Sequence, residues 1–364
     1  TVTISNNVVN GSNDGTKSDY GFYGQGNHAK LVITNNIINK TGDNPIVMEQ
    51  QIGSTTVSNN TFYITDSPDY DAYFSMAYGG KTITTPQIVQ GNTFYLDHSG
   101  TGYSEAITFD TAVLNSWNGI TTDTGHYSNV QIKDNLIYTG GAYARGIGLV
   151  DLSSGAGNGT ITGATITGNQ IIGESVTDTA TYGLILRGDI KDSTIKNNKV
   201  EKIDLGIWVR PGLSLTVFPS NNDISNNHIS PVNVAVKNDC TAGTVDASPN
   251  WWGSPLGPTS AQVYGSVTTA PWCADPSCET FAPDESGVVE LAGEITTDGG
   301  LEVNIPNLTI HLAGDTIIQN SSPCFVITAD NTRIVAEPGA KCIPTGGSNG
   351  IDVAAGITGV TVDG

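Results

Sequence analysis

From residue 3 to residue 229 the apolar and polar positions follow one recurring pattern. Alternating apolar residues lead into a polar pair that ends in Asn, and apolar residues resume at once. The unit reads Thr-Ile-Ser-Asn-Asn-Val-Val at 3–9 and Val-Ile-Thr-Asn-Asn-Ile-Ile at 32–38. It returns at 56–62, 88–94, 131–137, 165–171, 194–200 and 223–229. Its final Asn falls at 7, 36, 60, 92, 135, 169, 198 and 227, in steps of 29, 24, 32, 43, 34, 29 and 29. Steps near 30 predict one coil of three short strands, and the longer steps predict loops pushed out of a coil. The expected fold is all-β, a right-handed parallel β-helix. A β-sandwich would instead place turn signals every ~8–12 residues. Asn suits the corner for two reasons. It tolerates the left-handed backbone conformation of a sharp turn. Stacked on successive coils, its side chains can also form amide ladders.

A second strand repeats as Arg-Gly-Ile-Gly-Leu at 145–149, Tyr-Gly-Leu-Ile-Leu at 182–186 and Leu-Gly-Ile-Trp-Val at 205–209, and Asn-Gly-Ile-Asp-Val at 349–353 has the same form. Gly there fits a tight bend, and the alternating apolar residues fill the bore. Residues 246–286 break the pattern with Trp, Pro and Cys. From Gly287 it restarts, through Val-Val-Glu-Leu, Leu-Glu-Val-Asn-Ile and Leu-Thr-Ile-His-Leu. The expected organisation is a solenoid over 1–245, a cap and connector over 246–286, and the opening coils of a second β-helix over 287–364.

These Asn-turn units resemble the parallel β-helix repeats of pectin-lyase-like proteins, a group that spans carbohydrate-active enzymes and large secreted surface proteins. The resemblance covers about 1–240 and 287–364. The segment Ala-Ser-Pro-Asn-Trp-Trp-Gly-Ser-Pro-Leu-Gly-Pro at 247–258 is similar to an Asn-Trp-Trp-Gly segment at the end of β-helices of the surface kind. Read from its residues it is a cap, with two bulky aromatics over an open apolar end and a Pro/Gly run that stops further coiling. The rival reading makes Trp251, Trp252 and Trp272 a sugar-binding platform.

Charge narrows the partners. Lys and Arg number 15 against 35 Asp and Glu, a net charge of −20. Such a surface repels nucleic acid and anionic membranes, and it favours hard cations such as calcium. No cofactor is implied, and calcium is the one metal the composition suggests. No apolar run reaches the ~20 residues that span a bilayer. Five cysteines occur without a CxxC pair or a His cluster, which argues against a zinc site. Cys273 and Cys278 flank a tight loop, and Cys324 and Cys342 fall on adjacent coils. Disulfides in an oxidising, extracellular compartment are the natural reading. Cys240 is left over, to pair between chains or stay free.

Candidate chemistry is sparse. The Asp-Asp pair and Gly-His-Gly of polygalacturonase-like enzymes are missing, with Gly-His-Tyr at 125–127 the nearest approach. Arg187 and Arg210 each follow a strand glycine by four residues and should stack on adjacent coils. With Asp151 and Asp189 nearby they could form an anionic-sugar subsite or a lyase site. The plainer expectation, and the favoured one, is that the two arginines pair with Asp151, Asp189 or Asp204 at a strand end. His98, His126 and His228 read as solvated turn residues, and the run Asp66–Asp71 as either a calcium loop or a solvated one. Asn-X-Ser/Thr sequons occur at Asn10, Asn39, Asn59, Asn158, Asn307 and Asn320.

The leading expectation is a secreted structural or adhesive surface protein rather than an enzyme. Both termini fall in mid-coil, so either the chain is one slice of a longer tandem array or subunits stack head to tail into a filament or sheath. The alternative is a polysaccharide lyase or glycosidase, or a carbohydrate-binding module.

Overall fold

The computed structural model describes the chain except for residues 12–19, 27, 40–43, 66–71, 98–103, 112–123, 152–158, 176–180, 214, 231, 284–285, 298–299, 321–322 and 345–348. The described residues are all-β and form a right-handed parallel β-helix. No described helix is long and apolar enough to cross a membrane. Two compact units are present, Thr1–Ala247 with Tyr264–Thr268, and Ser248–Val263 with Thr269–Gly364.

In the first unit each coil runs through three sheets. The first sheet extends from Val2–Ser5 to Asp223–Ser225, and the second from Val8–Asn10 to His228–Ile229. The third begins at Phe22–Gln25 and runs through Val232–Asn238. From coil to coil these strands pair in parallel. A short fourth sheet, Thr82–Ile83, His126–Tyr127, Thr160–Thr162 and Ile190–Lys191, widens the middle coils. Register sets like on like inside the bore. Ile33, Val57, Val89, Ile132, Ile166, Ile195 and Ile224 form one buried column. Ile38, Phe62, Phe94, Ile137, Ile171, Val200 and Ile229 form another, with the Phe62 and Phe94 rings stacked at 4.6 Å. Each such side chain is worth roughly 1.5–3 kcal/mol of burial.

The two properties expected of the corner Asn are divided between the two residues of the pair. The first residue takes the left-handed conformation: Asn6, Asn35, Asn59, Gly91, Asp134, Gly168, Asn197 and Asn226 all have positive φ. This explains why that position also admits Gly and Asp. The second residue builds the ladder. From Asn7 to Asn198, each side-chain amide donates to the amide oxygen of the next coil's Asn at 2.9–3.0 Å, ending on Asn227. The same oxygen accepts the backbone N–H of the previous Asn. The strand glycines have a separate cause. A β-carbon on Gly146 would stand 2.3 Å from the Gly183 carbonyl oxygen, and one on Gly183 would stand 2.7 Å from that of Gly206.

The second unit repeats the plan with three parallel sheets, opening on Val288–Leu291, Glu294–Thr297 and Leu301–Val303. Cys324 and Cys342 form a disulfide between its coils, Cys273 and Cys278 close a short loop, and Cys240 is free. Trp252 and Trp272 lie in the interior of this unit. The Trp272 ring packs against the α-carbon of Gly257, whose positive φ and missing side chain make the contact possible.

Candidate functional site on the outer face of the third sheet

Side chains alternate across a strand, so parallel register lays the outward residues of the third sheet in columns. One column passes Asp110, Val150, Arg187 and Arg210 on successive coils. A second passes Thr108, Gly148, Ile185, Trp208 and Lys237. A third passes Glu105, Arg145, Tyr182, Leu205 and Val234. Four-residue spacing from the strand glycines thus brings Arg187 and Arg210 side by side, as expected.

The favoured pairing of these arginines does not occur. Asp189 bonds Lys191 at 3.1 Å, Asp204 accepts from Asn233 at 3.1 Å, and Asp151 is buried, accepting from Thr111 at 2.8 Å. The reason is geometric. Asp151 and Asp189 lie past the end of their strands, at the corner marked by Gly188, and leave the plane of the columns. Among the described residues no carboxylate forms an ion pair with Arg187 or Arg210, and the Nε of each is buried without a hydrogen-bond partner. Burial lowers the pKa of Arg187, and the neighbouring Arg210 charge lowers it further, against the pull of Asp110, Tyr182 and Glu105. Burial likewise lowers that of Arg210, with Asp239 and Tyr182 acting against it. Like charges one strand spacing apart (~4.8 Å) repel by about 3 kcal/mol at an effective dielectric near 20.

The surroundings hold the Arg210 guanidinium in place. Arg210 lies 4.4 Å from the Trp208 ring centroid, and the Trp208 Nε1–H donates to Asp239 at 2.7 Å. Asp239 also pairs with Lys237 at 3.1 Å. Tyr182 meets Trp208 edge to face at 6.2 Å. Glu105 is buried and engaged by three donors. It accepts from Tyr182, from Thr108 at 2.5 Å and from Arg145 at 3.2 Å. Sequence spacing gave no warning of Glu105, Arg145, Tyr182, Trp208 or Asp239, because their contacts join residues on different coils. The arrangement sets the Arg187 guanidinium beside that of Arg210, which is seated on Trp208, with no ion-paired carboxylate among the described residues, and such a pair suits an anion.

The other candidates fall elsewhere. Trp252 and Trp272 expose no ring face, and the Trp272 indole donates to Pro255 at 2.8 Å; Trp251 is half-buried. His126 and His228 are strand residues rather than solvated turns. His126 bonds Thr160 at 2.9 Å, and His228 faces Glu201 at 3.6 Å. Gly125 is held by packing, since a β-carbon would collide with the Ala77 carbonyl. His98, Asn158 and the run from 66 to 71 lie outside the described residues. Among the described residues no three His, Cys, Asp or Glu side chains gather as a metal site.

No family model and no curated protein matches the sequence. Among solved structures, it is similar to variants of the tailspike protein of E. coli bacteriophage HK620 in complex with pentasaccharide. Two of these align at 10% and 9% identity, each over 92% of this chain and with a TM-score of 0.29. The chain spans 62% and 54% of their lengths. At that similarity they carry no information about the site.

Proposed function

We propose that the protein is an extracellular β-helical surface protein that binds an acidic polysaccharide along the outer face of its third sheet. The observation that carries this reading is the Arg187–Arg210 pair, two half-buried guanidinium groups on adjacent coils with no carboxylate partner among the described residues. A sugar carboxylate or sulfate between them would relieve their repulsion and gain charge-assisted hydrogen bonds. Trp208 acts as a positioning residue, with its ring fixing Arg210 and Asp239 fixing the ring. The disulfides agree with an oxidising compartment. An adhesive role needs only this binding on a stiff repeat scaffold. Glu105 is buried and turned to three donors of the protein itself rather than offered to a substrate, so binding is favoured over hydrolysis.

Affinity electrophoresis through gels containing polygalacturonate, or neutral dextran as the reference, tests the proposal. Retardation by polygalacturonate alone, abolished in Arg187→Ala/Arg210→Ala, is the expected result. Equal retardation of the double variant would refute it.

A further inference from the structure

The second sheet carries a different surface. Tyr63, Tyr95 and Tyr138 occupy one outward column, with rings parallel at 4.9 and 5.1 Å and each about two-fifths exposed. The row stops after Tyr138, because the next coil places Ile172 there. Beside that step Asp97 aligns with Gly140, and Thr139 with Gly173. A cavity of about 290 Å³ opens beside Gly140, walled by Tyr95, Tyr138 and Ile172 and rimmed by Asp97 and Glu174. The Glu174 carboxylate lies over Gly140, 3.2 Å from where a β-carbon would stand. The two rim carboxylates therefore bracket one glycine, and neither forms an ion pair among the described residues.

We propose that this notch binds a sugar residue bearing a free ammonium group, a hexosamine unit of a cationic glycan. The volume lies just under the ~300 Å³ lower end for drug-sized ligands, which suits a single pyranose ring. The apolar face of such a ring packs on Tyr138 and Ile172. Its ammonium sits between Asp97 and Glu174, beside tyrosine rings that attract cations. A neutral sugar would leave both carboxylates without a charged partner, and an acidic one would meet repulsion.

The test is calorimetric titration of the whole protein with a glucosamine oligomer, its fully N-acetylated counterpart, and an oligolysine of equal charge. The glucosamine oligomer should bind at least about tenfold more tightly than either of the others. Asp97→Asn/Glu174→Gln, and separately Gly140→Leu, which fills the notch, should each weaken it about tenfold or more. Far-UV circular dichroism confirms that the variants fold, and the isosteric pair keeps the test valid if Gly140→Leu does not. Oligolysine binding as tightly and lost in the same variants would overturn the proposal in favour of a peptide or simple cation site. Absence of glucosamine binding, or binding indifferent to the substitutions, would overturn it outright.

Discussion

Replacing Asn135 by Ala isolates the ladder from the burial that surrounds it. The Asn135 amide donates to the Asn169 side chain at 2.9 Å and to the Val89 carbonyl at 3.0 Å. Its oxygen accepts the Asn92 backbone N–H and the Asn92 side-chain amide, both at 3.0 Å. Alanine removes all four bonds. The Asn92 side chain keeps Val57 and Gln90 as partners, but its buried backbone N–H loses the acceptor that Asn135 supplied. One orphaned buried donor costs about 1–3 kcal/mol, and the other lost bonds bring the total to about 3–4 kcal/mol. Asn7→Ala is the internal reference. That residue is exposed, and it donates only to Asn36 and Ser5 with its side chain, so its loss should cost under about 1 kcal/mol. Amide hydrogen exchange at Asn92 and its neighbours reads the local opening free energy for each variant. Costs within about 1 kcal/mol of one another would refute the ladder as a main source of corner stability.

Other substitutions address different parts of the molecule. Arg187→Ala and Arg210→Ala should each weaken binding of an acidic oligosaccharide roughly ten- to a hundredfold by calorimetry, the loss of one charge-assisted contact. Trp208→Leu should weaken it less, through a looser Arg210, and Arg210→Lys should not restore full affinity because an ammonium lacks the planar fork. Gly183→Ala forces a β-carbon to 2.5 Å from Val200 and 2.7 Å from the Gly206 carbonyl, so denaturant titration should show an unfolding free energy lower by about 1–3 kcal/mol or more. Cys324→Ala/Cys342→Ala opens a loop of 18 residues and should destabilise the second unit by about 3 kcal/mol in calorimetric scans.

The coil period was legible because register keeps like residues on like, so that all eight Asn units appear in order in the first two sheets. The division of labour inside the Asn pair was not. Both residues are usually Asn, and only Gly91, Asp134 and Gly168 hint that the first position answers to backbone conformation alone. The fourth sheet was missed because strands such as Thr82–Ile83 are too short to show a period. Stacking of Arg187 on Arg210 could be read from a fixed offset to the strand glycines. The fate of the nearby carboxylates could not, since a strand end at Gly188 decides which way Asp151 and Asp189 turn. Contacts such as Glu105 with Tyr182 join residues 77 apart in sequence and leave no local trace. The tyrosine column was present in the text as Thr-Phe-Tyr at 61–63 and 93–95 and Leu-Ile-Tyr at 136–138, one residue beyond the repeat as first framed.

The arginine pair is tested most directly by the ¹⁵Nε–H resonances of Arg187 and Arg210. Both protons are buried without a partner, so a carboxylate drawn into the fork must change their surroundings. Titration with an oligogalacturonate at physiological ionic strength should shift both signals saturably and together, and a neutral oligosaccharide should move neither. Stationary Nε–H signals while other residues respond to the acidic ligand would contradict the account.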